Sequence, residues 1–516
     1  MLTIPILCAL SAVVYAAWMR AQKPVYLFAL VVFLLSTILS LVYFVSDDIT
    51  GEGITEATLF HLMYGFDGID LAGFSVYVAL SIICLVAIPG IGYFGWKSCT
   101  RQTRRGPSYR PSVIVHLTVI GALSVFAVGV HPATLDTMQV VEKFNDARYN
   151  GLLSEELREL DGIAPPKRGK SLVYIYAESM ERTFFDKRIF PGLIQELAKL
   201  EESSLSIRGI GQAPLTDWTI AGMVASQCGI PLATFRSNRN DLGDLKSFMP
   251  GATCLGDILN QAGYRLAYMG GADLSFAGKG QFYRDHSFSD VTGLKELQNR
   301  LGEDIPLSKW GVYDDRLFEQ AVEKFRELSK TGEPFALIML TLDTHAPTGH
   351  ETPTCARDPN LGYRDGSSKM LNAVKCSDRL IARFVEQIEA EAGNDVVIVV
   401  ASDHWQMRSD AAEPLSRSPV RENLFLVRGA GIEPGVISKP STTMDIAPTV
   451  LSLLGWDIST FALGRNLLRD EPTLVEKFGR AQYYDMVKSW RMNLWRVWEG
   501  QSQSDSAAPA LEDGAA

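Results

Sequence analysis

Positive charge is in deficit: 49 Lys and Arg against 59 Asp and Glu leave a formal net charge of −10. A nucleic-acid binder needs a basic patch to meet phosphates, so this balance argues against such a partner. Cysteine is sparse, with 7 in 516 residues. No two stand in C-x-x-C spacing, which disfavours a structural zinc cluster. The N-terminus lacks a basic run before its first apolar stretch and an A-x-A-like site after it, so a cleaved signal peptide fits poorly. There is no internal repeat. The most informative absence is of charge itself. No charged residue occurs in residues 2–19, 24–45, 71–96 or 111–135.

Each of these stretches reaches the roughly 18–20 apolar residues that cross a bilayer, and four of them so close together read as membrane spans. Arg20 and Lys23 fall between the first two, and Lys97, Arg101, Arg104, Arg105 and Arg110 between the last two. The loop from Ser46 to Asp70 has no Lys or Arg. The positive-inside rule then puts the basic loops in the cytoplasm, and the N-terminus and everything after the fourth span outside. His116, inside the fourth span, is expected to bond a neighbouring helix. Cys228, Cys254, Cys355 and Cys376 all lie in the exported part. In an oxidising compartment they suggest two disulfides with three possible connectivities, and the sequence-local pairing Cys228–Cys254 and Cys355–Cys376 is the expected one.

Residues 136–168 read as a linker, with a helix start at Ser154-Glu-Glu-Leu. From residue 169 to 480 the pattern alternates strand and helix, with strands expected at 171–177, 204–210, 264–269, 335–342, 395–401 and 422–428. Helices are expected at 192–203, 314–329, 370–392 and 443–455. This is an α/β domain with a mostly parallel sheet. Residues 481–516 read as a Trp-rich helix, lying at a membrane interface or packed on the domain, followed by a disordered tail.

In open α/β sheets, ligands sit beyond the carboxyl ends of the strands. The apolar run from Leu172 stops at Glu178, and the run from Asp395 stops at Asp403-His404. Two carboxylates and an imidazole can therefore reach one crevice, and with Thr216 they suit a divalent cation handling phosphate: Mn, Mg or Zn. Thr216, in the loop Pro214-Leu-Thr216-Asp-Trp-Thr219 that runs into a helix, is the expected nucleophile, with Thr219 and Ser179 as rivals. His345 follows another strand and suits phosphate binding or proton transfer. Lys279, Arg284 and His286 share a loop that suits an acidic substrate.

Those residues carry a resemblance. Leu172-Val-Tyr-Ile-Tyr-Ala-Glu178-Ser, Trp218-Thr-Ile-Ala-Gly-Met-Val-Ala-Ser-Gln-Cys228-Gly-Ile-Pro-Leu, Phe276-Ala-Gly-Lys279, Trp310-Gly-Val-Tyr-Asp-Asp315, Thr344-His345 and Ser402-Asp403-His404 resemble the bacterial membrane phosphoglycerol transferases that decorate periplasmic glucans. More broadly they are similar to lipoteichoic acid synthases and the alkaline phosphatase/sulfatase superfamily. The resemblance covers about residues 170–470. It implies one metal, manganese foremost, held by Glu178, Thr216, Asp403 and His404, with Thr216 as nucleophile. It also implies an inner-membrane enzyme with phosphatidylglycerol as donor and a glucan as acceptor. Phosphoethanolamine transfer and polyglycerolphosphate synthesis are the alternatives on the same fold. Sulfate ester cleavage is disfavoured, because Trp218 and Ile220 follow Thr216 where a C-x-P-x-R nucleophile motif wants Pro and Arg.

Overall fold

The computed structural model describes residues 2–18, 23–50, 53–55, 58, 75–100, 113–144, 150–158, 164–167, 169–233, 247–358, 362–393, 395–429, 431–491 and 493–495. Most of the loop charges that set the expected orientation, Arg101, Arg104, Arg105 and Arg110 among them, lie outside these residues, as does the tail beyond 495. The described residues fall into two compact units, one from Met1–Thr58 and Asp70–Lys143 and the other from Phe144–Ala516.

In the first unit, α1 spans Thr3–Trp18, α2 Lys23–Thr50, α3 Ser75–Thr100, α4 Val113–Ser124 and α5 Pro132–Phe144. A single π-helical turn, Val125–Gly129, extends α4. Pro132 then opens α5 at a bend of 57°. The expected edge of the linker at residue 136 thus falls inside α5. Among the described residues, Lys23–Asp48 is long and apolar enough to cross a membrane, and the bent pair Ile114–Gly129 and Pro132–Val140 passes the same test when taken together. Ala9, Ala12 and Ala16 of α1 share one apolar cluster with Val25, Ala29 and Val32 of α2. Buried His131 bonds Ser40 Oγ of α2 through Nε2 at 2.9 Å and accepts the Ala133 N–H at Nδ1, 3.1 Å. His116 meets the ring of Tyr15 edge-on at 5.7 Å; its Nδ1 has no hydrogen-bond partner among the described residues, so the expected bond to a neighbouring helix is a ring contact there.

The second unit begins with α6, Asn150–Glu156. Ser154 therefore lies inside a helix that starts four residues earlier, not at its N-cap. Glu156 is buried and pairs with buried Arg465 at 3.0 Å and with Lys477. The sheet has eight strands: β1 Ser171–Ala177, β2 Leu205–Gly211, β3 Arg265–Gly270, β4 Asp290–Thr292, β5 Phe335–Leu340, β6 Val396–Ser402, β7 Phe425–Gly429 and β8 Gly435–Thr442. Their order is β4-β3-β5-β1-β6-β7-β2-β8. β7 runs antiparallel to both its neighbours, and the other pairings are parallel.

Alternation along β1 sorts the two faces. Val173, Ile175 and Ala177 join one core with Leu317, Phe318 and Phe325 of α11 (Asp314–Ser329) and Met370, Val374 and Val385 of α12 (Lys369–Ala392). On the other face, the Tyr176 hydroxyl bonds Ser226 Oγ at 2.6 Å, in α8 (Thr219–Cys228). Helices cover both faces, which is why central strands read as unbroken apolar runs. Cys228–Cys254 and Cys355–Cys376 are disulfides, as the sequence-local pairing predicts. At the C-terminus, Trp490 and Trp495 are buried.

Candidate metal and phosphoryl-transfer site

β1 lies between β5 and β6 in the sheet, so the segments leaving these three strands converge at one edge. Glu178 follows β1, Asp403 and His404 follow β6, and His345 follows β5 by a short loop. The ligand atoms of Glu178, Asp403 and His404 lie within 4.8 Å of one another, and all three residues are buried. His404 Nε2 is 3.3 Å from Glu178 Oε1 and 3.3 Å from Asp403 Oδ2. Its Nδ1 bonds the Trp405 carbonyl at 2.6 Å, which fixes the ring with Nε2 inward.

The backbone holds these groups in place. Asp403 Oδ1 accepts N–H groups from Ser179 and His404, each at 2.9 Å. The Glu178 N–H donates to Thr341 Oγ1 at 2.9 Å, and Thr344 donates to the Glu178 carbonyl. Ser179, at φ +55, sits in the left-handed region that a non-glycine residue rarely adopts, a strain typical of functional loops. Its hydroxyl donates to Glu178 Oε1 at 2.9 Å, so Ser179 supports the cluster and its oxygen is committed.

The hydroxyl that meets the cluster is not that of Thr216, the expected nucleophile, but that of Thr219, three residues on. Thr216 Oγ1 donates to the Ala213 carbonyl at 2.8 Å within its loop and does not join the cluster. Thr219, the first residue of α8, has its Oγ1 3.4 Å from Glu178 Oε2 and 3.4 Å from His404 Nε2. The reason is where the helix starts: Trp218 is still extended, so the helix N-terminus and its unpaired N–H groups coincide with Thr219. A Cβ on Gly222 would lie 2.0 Å from the Asp403 carbonyl oxygen, so α8 packs directly on the backbone that carries the ligands. That close approach is the sequence signal for Thr219: a glycine one turn into the helix. Gly222→Ala is expected to push α8 off Asp403 and lower kcat by about 100-fold or more, since displacements near 1 Å cost that much; a steady-state assay beside a melting curve checks it. Counted from Thr219, Ala221 and Met223 occupy the positions where the sulfatase motif wants Pro and Arg.

A small enclosed cavity adjoins the cluster, lined by Glu178, Thr219, Phe276, Lys279, Trp310 and His345, with Tyr268 and Leu342 behind. Burial pushes Lys279 down to about 8, partly offset by Glu178 and Asp403, and its Nζ lies 4.5 Å over the Phe276 ring. His345 is lowered by burial against the opposing pull of Glu178, so the ring is neutral near pH 7. Its Nδ1 bonds the Ala346 carbonyl at 2.6 Å, leaving Nε2 with the lone pair. Arg284 and His286 do not reach this cavity. Arg284 is exposed at the far end of α10 (Lys279–Asp285). His286 is captured by Asp257 at 2.8 Å, beside the sulfur of Cys254. Cys254, Asp257 and His286 form a second cluster of metal-ligand types, but its sulfur is spent in the disulfide.

Burial opposes charge on Glu178, yet His345 and His404 outweigh it and hold its carboxyl low. Asp403 is raised by burial and by Glu178. Burial opposes charge on His404 too, but Asp403 and Glu178 raise it to about 10. The protonated imidazole thus offsets the Glu178 carboxylate, and a divalent cation would displace that proton and use the Nε2 lone pair. Asp403 Oδ2 is buried with no hydrogen-bond partner among the described residues. Two carboxylates, one imidazole and an adjacent hydroxyl fit a hard or borderline divalent cation.

Sequence reading missed Asp314 and Asp343, a buried pair beneath the cavity. Asp314 accepts from the N–H groups of Leu342 and Asp343 at 2.7 and 3.1 Å, and Asp343 accepts from the Asp314 N–H at 3.2 Å. Burial, then mutual repulsion, raises Asp343. No residue spacing announced that the two would meet.

The chain is similar to known proteins in sequence and in fold. Residues 170–456 match the family model described as sulfatase, and residues 1–148 match that of the phosphoglycerol transferase I N-terminal domain. The chain is 36% identical over 458 residues to phosphoglycerol transferase I of Xanthomonas campestris pv. campestris, covering 88% of this chain and 62% of that protein. It is 35% identical over 499 residues to phosphoglycerol transferase I of Escherichia coli, covering 95% and 62%. The chain thus spans about three fifths of the length of these curated relatives. Among solved structures, an alkaline phosphatase superfamily protein from Vibrio parahaemolyticus aligns over 65% of this chain and 80% of its own, at 22% identity and a TM-score of 0.51, a likeness of fold.

Proposed function

The chain belongs to the sulfatase family, and on that premise we propose that it transfers phosphoglycerol from phosphatidylglycerol to sugar hydroxyls of periplasmic glucans through a glycerophospho-threonine at Thr219. One observation carries the reading: a single hydroxyl at a helix N-terminus faces a buried carboxylate–imidazole cluster. The similarity to phosphoglycerol transferase I along most of this chain supports the reaction class.

Glu178, Asp403 and His404, with Thr219 Oγ1, would hold one divalent cation, manganese in this reading. Bound there, it supplies charge that activates the hydroxyl and offsets the phosphoryl oxygens. In the first step Thr219 Oγ1 bonds to phosphorus as the bond from phosphorus to the diacylglycerol oxygen breaks. The threonine proton passes to His345 Nε2 and on to that departing oxygen. In the second step a sugar hydroxyl attacks phosphorus and gives its proton to His345. That proton returns to Thr219 as the P–Oγ1 bond breaks. Lys279 offers positive charge to the phosphoryl oxygens in both steps.

The four charge-free stretches serve in this reading as spans of the bacterial inner membrane, with the second unit on the periplasmic side. The exposed apolar side chains of α2, among them Leu27, Phe28, Val31, Leu34 and Ile38, support a lipid-facing surface. Anchoring keeps the enzyme at the surface that presents its lipid donor.

The test is peptide mass mapping of the full-length protein, quenched after mixing with Mn²⁺ and phosphatidylglycerol vesicles. A glycerophosphoryl adduct on Thr219 is the expected outcome. An adduct from phosphatidylethanolamine alone moves the donor to that lipid, and turnover with no adduct from either lipid overturns the covalent route.

A further inference from the structure

The mechanism above gives no task to Trp310. Trp310 lines the cavity together with Lys279, His345 and Thr219. Its ring centroid lies 4.2 Å from that of His345 and 5.9 Å from that of Phe276. Its indole nitrogen is buried and has no hydrogen-bond partner among the described residues. An indole N–H is a donor with no acceptor capacity, and leaving it buried and unmade is costly. The apolar part of the lining, Leu340, Leu342 and Phe276, offers no side-chain acceptor, and no acceptor elsewhere in the wall takes this N–H among the described residues.

The position of this donor is built, not incidental. Ser308 Oγ accepts the N–H groups of Trp310 and Gly311, both at 3.2 Å. The Val312 N–H donates to the Gly271 carbonyl at 3.0 Å, at the end of β3. Gly311, at φ +144, could carry no side chain, since a Cβ there would lie 2.1 Å from the Gly271 oxygen. The Asp314–Asp343 exchange of bonds then straps this loop to the one that carries His345. Lys279 lines the same cavity, and the Lys309 ammonium sits 5.5 Å over the indole ring, so positive charge favours an anion beside the indole.

We propose that the Trp310 indole N–H donates to a non-bridging oxygen of the bound phosphodiester, opposite the cluster of Glu178, Asp403 and His404. Trp310 is then a substrate-binding residue that holds the phosphoryl group for in-line attack, as fixed donors do when aimed at an oxyanion. This inference rests on the phosphoryl-transfer reading, but not on which lipid is the donor.

Inorganic phosphate is the probe, titrated calorimetrically into full-length, Mn²⁺-loaded protein in detergent micelles, wild type against Trp310→Phe. Phenylalanine keeps an aromatic ring beside His345 and removes the N–H. The expected result is phosphate affinity weaker by roughly tenfold or more, the range for a hydrogen bond to a charged acceptor, with unchanged Mn²⁺ stoichiometry and unchanged Tm. Affinity within twofold of wild type overturns the proposal. So does a Trp310→Phe protein that loses Mn²⁺, which would make the ring a structural support, and so does wild type that binds no phosphate. In each of those cases a Thr219 adduct from phosphatidylglycerol leaves the transfer reading standing, so the two fail separately.

Discussion

Thr219→Ala lowers kcat/KM by roughly 10⁴-fold or more, the scale of losing a nucleophile that acts with its partners as a unit, while Thr216→Ala stays within a few-fold of wild type. The two residues stand in the same short segment and are chemically identical, so the comparison isolates position. Thr216 spends its hydroxyl on the Ala213 carbonyl, a loop bond whose loss costs about 1 kcal/mol. Thr219 faces Glu178 and His404 from a helix N-terminus. Thr219→Ser keeps the oxygen and retains measurable transfer. A steady-state assay with phosphatidylglycerol donor and glucan acceptor checks all three variants; equal losses at both threonines would sink the assignment.

Asp403→Asn separates metal binding from folding. Asp403 Oδ1 holds two backbone N–H groups, and Oδ2, 3.3 Å from His404 Nε2, has no hydrogen-bond partner among the described residues. An asparagine that keeps its oxygen in the Oδ1 place breaks neither bond and puts its NH₂ where a cation ligand is needed. In EDTA, its Tm is therefore expected within about 2 °C of wild type, the shift that stability changes below about 1 kcal/mol produce. Saturating Mn²⁺ stabilises wild type by about 4 kcal/mol at a thousand times Kd, and Asp403→Asn gains little of this. Activity falls by at least about 100-fold, more than the loss of a supporting partner usually costs. Differential scanning calorimetry with and without EDTA, beside metal analysis, reads all of these. A full metal-induced shift in the variant would remove Asp403 from the ligand set.

The legible and illegible parts of this molecule divide along physical lines. β1 and β6 were readable because central parallel strands are buried on both faces and show as β-branched runs ending abruptly in Glu178 and Asp403. β8 was missed because its side chains from Gly435 to Pro440 are largely solvent-facing, so no apolar run marks it. β4 has three residues, too few for any period to register. At the site, the difference between Thr216 and Thr219 turned on where a helix begins, and end positions are the least determined part of a pattern. His286 was legible as a reactive residue but not as one already engaged, because Asp257 lies 29 positions away. Trp310 and the Asp314–Asp343 pair come together only through tertiary packing, and no local pattern marks such meetings.

The Glu156 ion pair sets where this protein can be cut. Arg465 and Glu156 are each about 5% exposed, and the side chain of one is the counter-charge of the other. A soluble fragment starting at residue 169, where the α/β pattern opens, would strip the Arg465 guanidinium of its Glu156 carboxylate. A fragment that keeps α6 retains the pair. The short helix before the sheet is therefore a piece of the folded domain, and a protease that releases this domain whole must cleave on the N-terminal side of Asn150.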